Sequence, residues 1–287
     1  MKTEHSTQST DIDTLIHQAL AGSKPALEAI IKAIQDDVFY LALRMLANPE
    51  NAREATQDIL IKVMTKLSSF RFESQFKTWV YALASNHLIS EKKLRDRELT
   101  LTFEDYSADL ESDLQSPASL RERPDYQTLL NELRISCTIA MLLCLKPTLR
   151  IAYILGEILQ LDHSEASEIL TITKVNFRKQ LSRAREMVTT FTKRNCSLVS
   201  QQAQCSCEKK LTGAINRQRV RPDNIFFDTG SKNSYQQLKN ALSDTQQALK
   251  TVNLQSDITH YKSIDDFSLI LDDIVEEYSG KNHSLLQ

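Results

Sequence analysis

The stretch KVNFRKQLSRARE, residues 174–186, sets Lys174, Arg178, Lys179, Arg183 and Arg185 against one acid, Glu186. The 287-residue chain around it carries 35 Lys+Arg, 37 Asp+Glu and a net charge of −2, so this positive charge is local. Phe177, Leu181, Ala184 and Val188 follow at steps of four, three and four, which places them along one face of a helix. Arg178, Lys179, Ser182 and Arg185 fall opposite, with Lys174 and Arg183 on the flanks. HSEASEIL, residues 163–170, comes before, separated by the three-residue break TIT. Short helix, tight turn and basic helix predict a helix-turn-helix, whose second helix enters the DNA major groove. A cationic face that is merely solvated is the competing reading. The turn has Thr171 where Gly is common, and a β-branched residue is costly at a left-handed backbone position.

Composition narrows the class. Apolar residues make up 41% and charged residues 25%, as in ordinary globular chains long enough for about two small domains. With 5 Gly, 6 Pro and apolar residues mostly at helical spacing, an all-α fold is expected. No apolar run nears the roughly 18 residues that would span a bilayer. The N-terminus, MKTEHSTQSTDIDT, lacks the apolar core of a secretory leader, so the chain is read as cytoplasmic. Five cysteines, an odd number, argue against a disulfide framework. The six His are scattered and no paired-carboxylate or Ser/His/Asp constellation appears, so no enzyme is expected and no cofactor is required.

Five segments follow from periodicity and charge. Residues 1–23 are an N-terminal tail and first helix, and 24–97 a helical domain. Within the latter, Leu27, Ile30, Ile31, Ile34, Val38, Leu41 and Met45 form one stripe, ended by Asn48-Pro49. Ala52, Ala55, Ile59, Val63 and Leu67 form a second, SSFRFES is a loop, and Phe76, Val80, Leu83 and His87 line a third helix. Residues 98–125 hold eight acids against Arg121 and Arg123 and read as an acidic linker. Helical periodicity returns over 126–194, with Pro147 marking a helix start. Residues 195–287 form a tail, partly helical or disordered, with an amphipathic stretch in SIDDFSLILDDIVEEY. The chain has no internal repeat.

A second constellation lies in the N-terminal domain. Phe70, Phe72, Phe76, Trp79 and Tyr81 are interleaved with Arg71 and Lys77, and Lys92, Lys93, Arg95 and Arg97 follow. Rings mixed with cations suit unstacked single-stranded bases. The bland reading places Phe76 and Trp79 in the core; Phe70 and Phe72, in the loop, are the better candidates for base contact.

Together the two blocks resemble bacterial sigma-70 family factors of the small extracytoplasmic-function (ECF, group 4) type. The strings that carry the resemblance are AREATQDILIKV, SFRFESQFKTWVYALASN and LDHSEASEILTITKVNFRKQLSRARE. Residues 24–97 then correspond to region 2 and 126–194 to region 4, the helix-turn-helix. The resemblance implies a factor that binds core RNA polymerase and directs transcription from promoters by reading −35 and −10 elements and helping to melt the latter. It implies that Glu54, Gln57, Asp58 and Ile61 face the clamp of the largest polymerase subunit. It implies that Phe70, Arg71, Phe72, Lys77 and Asn86 serve the opened −10 element, where capture of an extruded base lowers the cost of melting. Asn176, Arg178, Lys179, Ser182 and Arg183 would read the −35 duplex. The acidic linker would thread the channel where RNA exits. Two departures bear on −10 preference: Ser90 stands where an acid is usual, and Phe72 where Gly is common in the capture loop.

The tail resembles a Cys-containing extension found after region 4 in one sigma subgroup. Cys196, Cys205 and Cys207 can offer three thiolates to zinc or another soft metal, or form a redox pair, or be incidental. Cys137 and Cys144 sit seven apart on a helix, as core residues would. The tail is expected to regulate the factor, in place of or beside a separate anti-sigma protein. Two rival readings remain: a free-standing helix-turn-helix regulator, and a sigma-like interaction protein with a degenerate DNA site.

Overall fold

The structure is a computed structural model. It describes residues 4–90, 101–227, 235–246, 249–256 and 266–270, with side chains from 12 to 268 within those ranges. Among the described residues there are helices and no strand, as the apolar spacing predicts. The N-terminal part is a bundle of α1 (Glu4–Leu20), α2 (Lys24–Leu46), α3 (Pro49–Lys66) and α4 (Phe76–Ser90). Asn48 does more than end α2. Its side chain accepts the Asn51 N–H at 2.9 Å and so caps α3, whose first residue is Pro49.

The C-terminal half carries α5 (Phe103–Glu111), the short α6 (Ala118–Arg121), α7 (Tyr126–Leu142) and α8 (Pro147–Tyr153), which runs into a π turn over Ile154–Ile158. Then come α9 (His163–Ile169) and α10 (Lys174–Asn195). In the tail lie α11 (Cys207–Asn216), α12 (Tyr235–Ser243) and α13 (Lys250–Ser256). Of the amphipathic stretch near the end, the 3-10 turn Phe267–Ile270 is described, and residues 263–265 and 271–278 lie outside the described residues. Lys92, Lys93, Arg95 and Arg97 lie outside them too.

The linker departs from the sequence expectation. Residues 103–111 are not an extended acidic tether but a packed helix. Thr102 and Asp105 form a capping box at its start. Tyr106 and Leu110 are buried, and the Tyr106 ring stacks on Phe191 at 5.6 Å. Phe103, Tyr106 and Leu110 repeat at steps of three and four, a short helical face hidden among the acids.

Packing also joins the two halves. A single apolar cluster runs from Ile30 and Val38 through Ile59 and Ile139 to Phe177 and Leu181. Arg150 reinforces the seam. Its guanidinium donates to the carbonyls of Leu142 (2.9 Å) and Leu145 (2.9 Å), and to Met45 (2.5 Å) at the end of α2. Met45 and Leu142 lie in the last turns of α2 and α7, where helix ends leave carbonyls without an internal partner. A second cluster seats the tail, with Leu211, Tyr235 and Leu254 packed on Leu129 and Leu130 of α7.

Candidate nucleic-acid interface

The basic helix α10 is anchored along the predicted edge. Phe177, Leu181, Ala184 and Val188 are all buried. Asn176, Arg178, Lys179, Ser182 and Arg183 are all exposed, and they share the opposite side. Thr173 caps the helix by accepting the Asn176 N–H at 3.2 Å. Arg185 is held back from that face by its ion pair with Glu157 at 2.6 Å. Arg178 leans on His163, its Nε donating to Nδ1 at 3.4 Å.

Two backbone features fix how α10 sits. Gly156, in the π turn, passes so close that an added Cβ would stand 2.7 Å from Leu181 Cδ2 and 3.0 Å from Phe177 Cζ. Only a residue without a side chain lets the turn approach the buried edge of α10. Thr171, in the helix-turn-helix turn, has φ +54. The left-handed conformation that Gly would adopt freely is thus imposed on a β-branched residue.

The second constellation lies in the loop before α4. Phe70 is only 5% exposed. It packs between Phe72 (4.7 Å), Phe76 (5.4 Å) and Trp79 (5.5 Å). This corrects the expectation that Phe70 is a free base platform: its ring completes the core behind the loop. Phe72 is 39% exposed and adopts φ +58, the conformation for which Gly is suited. Its ring stacks on His17 at 4.7 Å. Arg71 and Asn86 are exposed. Lys77 pairs with Asp37 at 2.7 Å and lies over the Tyr81 ring.

On α3, Glu54 and Asp58 are exposed, and Gln57 and Ile61 are half-buried. The opposite side of this helix packs inward through Ala52, Ala55, Ile59 and Val63. Asp58 lies 3.9 Å from His87, whose ring also meets Lys62. The two candidate surfaces are joined by a contact with no local sequence signal. The Glu165 carboxylate of α9 accepts from the Thr78 hydroxyl of α4 at 2.9 Å.

The tail cysteines stand together. Cys196, Cys205 and Cys207 line one cavity of about 450 Å³ with Cys137. All are free thiols. Burial pushes Cys196 and Cys205 each up to about 12, and Cys207 well above its usual value. Among the described residues no group of three or more His, Cys, Asp and Glu is placed to hold a metal ion.

Comparison with known proteins adds independent information. The family described as sigma-70 region 2 matches residues 30–98. The chain is 26% identical over 182 residues to the RNA polymerase sigma-H factor of Pseudomonas aeruginosa, covering 61% of this chain and 90% of that protein. It is 26% identical over 185 residues to the ECF RNA polymerase sigma-E factor of Haemophilus influenzae, covering 63% and 94%. A shorter match of 31% over 71 residues, covering 25% and 38%, links it to the ECF RNA polymerase sigma factor SigW of Bacillus subtilis.

Proposed function

The chain belongs to the sigma-70 family as an ECF-type sigma factor, and from that premise we propose that it joins core RNA polymerase and selects promoters through two separate surfaces. The observation that carries this reading is the exposed row Asn176, Arg178, Lys179, Ser182 and Arg183 on a helix whose other edge is core. In this reading that row enters the −35 major groove, where Arg grips a guanine edge and Lys neutralises phosphate. Phe72, Arg71 and Asn86 receive the opened −10 strand, with Lys77 beside them once Asp37 releases it. Glu54, Gln57, Asp58 and Ile61 dock on the polymerase clamp. The chain supplies specificity and not bond-breaking chemistry, and it works in the cytoplasm with the polymerase. No described helix is long and apolar enough to cross a membrane.

The described arrangement is a resting one in this account. Elements centred at −35 and −10 lie about 25 base pairs apart, or about 85 Å along B-DNA at ~3.4 Å per pair. Here α9 touches α4 through Glu165 and Thr78. The two surfaces cannot reach both elements until that contact, and the core behind it, opens. The tail opposes opening, because Gln255 and Phe226 both reach the N-terminal bundle. A separate anti-sigma protein would then add to a restraint that the chain already carries.

Gel filtration of the full chain with bacterial core polymerase tests the reading. Co-elution is expected, and Asp58→Arg is expected to weaken it. Failure to co-elute in reducing buffer, with the tail both present and removed, would overturn it.

A further inference from the structure

Four cysteines converge on the cavity, yet two of them have a relationship the others lack. Cys196 is the C-cap of α10, and Cys205 lies just before α11. Their backbones pair as an isolated parallel bridge, with the Ser197 N–H donating to the Cys205 carbonyl at 3.0 Å. Paired backbones run about 4.8 Å apart and carry facing side chains on the same side. A disulfide spans Cα atoms about 4.4–6.8 Å apart. Cys137, by contrast, is engaged by the Tyr106 hydroxyl, 3.1 Å from its sulfur. The cavity gives a small reagent a route to Cys196 and Cys205.

We propose that Cys196 and Cys205 are a dithiol switch that a small disulfide oxidises to an intramolecular bond, fixing the tail in its closed position. This rests on the reading of the tail as a restraint. One thiol loses its proton and attacks a sulfur of R–S–S–R. A mixed disulfide forms and one RS⁻ leaves, taking up a proton. The second thiol, deprotonated in turn, attacks the bound protein sulfur, forms the Cys196–Cys205 bond and expels the second RS⁻. Two protein thiols are oxidised and one small disulfide becomes two thiols.

The bond would set the start of α11 against the end of the −35 helix. Beyond that start, α11 is clamped to the linker. The Gln115 N–H donates to the Lys209 carbonyl at 2.8 Å, and the Lys210 ammonium donates to the Ser112 carbonyl at 3.0 Å. Asp109 receives Arg217 at 2.5 Å and also Arg219. Reading helix, tail helix and linker then form one tied unit. The thiols are held up to about 12, so their reaction is slow at neutral pH and quickens with each pH unit. An exposed thiol would level off near pH 8.5–9.

The full chain is incubated with oxidised glutathione, alkylated and digested with chymotrypsin, which cuts after Leu198. A 2-Da loss linking the Cys196 and Cys205 peptides is expected, retained in Cys207→Ser and absent in Cys205→Ser. A bond that persists in Cys205→Ser, or only mixed disulfides with glutathione, would overturn the pairing. Transcription with core polymerase should fall roughly tenfold on oxidation. It should recover with dithiothreitol and be unaffected in Cys196→Ser/Cys205→Ser. If the bond forms and transcription does not change, the switch is refuted while the sigma reading stands. No transcription in either redox state would count against the sigma reading instead.

Discussion

Arg44 and Gln255 lie 211 positions apart, yet the Arg44 guanidinium donates to the Gln255 carbonyl at 2.7 Å. Arg44 is fully buried in α2, stacked over Tyr40, and the tail helix α13 completes its surroundings. Gln255 also donates to the Thr138 carbonyl of α7 at 3.4 Å. A single tail residue thus touches both promoter-binding halves. Arg44→Ala should cost about 1–3 kcal/mol, because it leaves the buried Gln255 carbonyl and side-chain oxygen without their donor. Ending the chain at residue 246 should instead expose Arg44 to water and raise the rate of association with core polymerase. Urea denaturation and polymerase-binding kinetics check the two outcomes.

The linker clamp should respond to acid. Burial raises the Asp109 carboxyl, but the Arg219 hydrogen bond and the charges of Lys210 and Arg217 outweigh it, so its value is lowered overall. A depressed acid contributes stability at pH values above its unfolded value near 3.9 and loses it as pH falls through the folded value. The clamp should therefore hold at neutral pH, begin to weaken below the unfolded value near 3.9, and lose the Asp109 contribution only as pH falls through the lower, folded value. Asp109→Asn should weaken it at neutral pH and remove its acid response, read as faster hydrogen exchange in residues 207–216.

The turn before α10 stores strain at Thr171. Thr171→Gly should raise stability by about 1 kcal/mol, since a left-handed conformation costs an L-residue roughly that much. The denaturation midpoint is the measurement. Gly156→Ala should do the reverse, by about 1–3 kcal/mol, because its methyl would press on Leu181 and Phe177.

Arg178, Lys179 and Arg183 should separate by what they contact. Lys179→Ala should weaken promoter binding on all sequences alike and lower the salt slope by about one. Arg183→Ala should cost about 1–3 kcal/mol at cognate promoters and relax the −35 preference. Binding of the reconstituted polymerase to promoter variants across a salt series distinguishes these effects.

The helix-turn-helix was legible because Phe177, Leu181, Ala184 and Val188 keep one spacing while the cations keep another. Thr171 spoke against a left-handed turn, since a β-branched residue is costly there, yet the turn adopts φ +54. Helix α5 was not, since three apolar residues among many acids give too little periodicity to outweigh the charge. Phe70 was misjudged because a loop position carries no signal of which way a ring points. Phe70 turns inward onto Trp79, and its neighbour at 72 does not. The tail contacts of Gln255 and Phe226 depend on tertiary packing between segments some 200 positions apart, which no local pattern encodes.

Transcription from a genomic fragment library tests the central claim most directly, using core polymerase with and without the reduced full chain. Defined start sites that need the chain, share −35 and −10 sequences, and shift or fade with Arg183→Ala and Asn86→Ala are the predicted result. Start sites identical with and without the chain would contradict it.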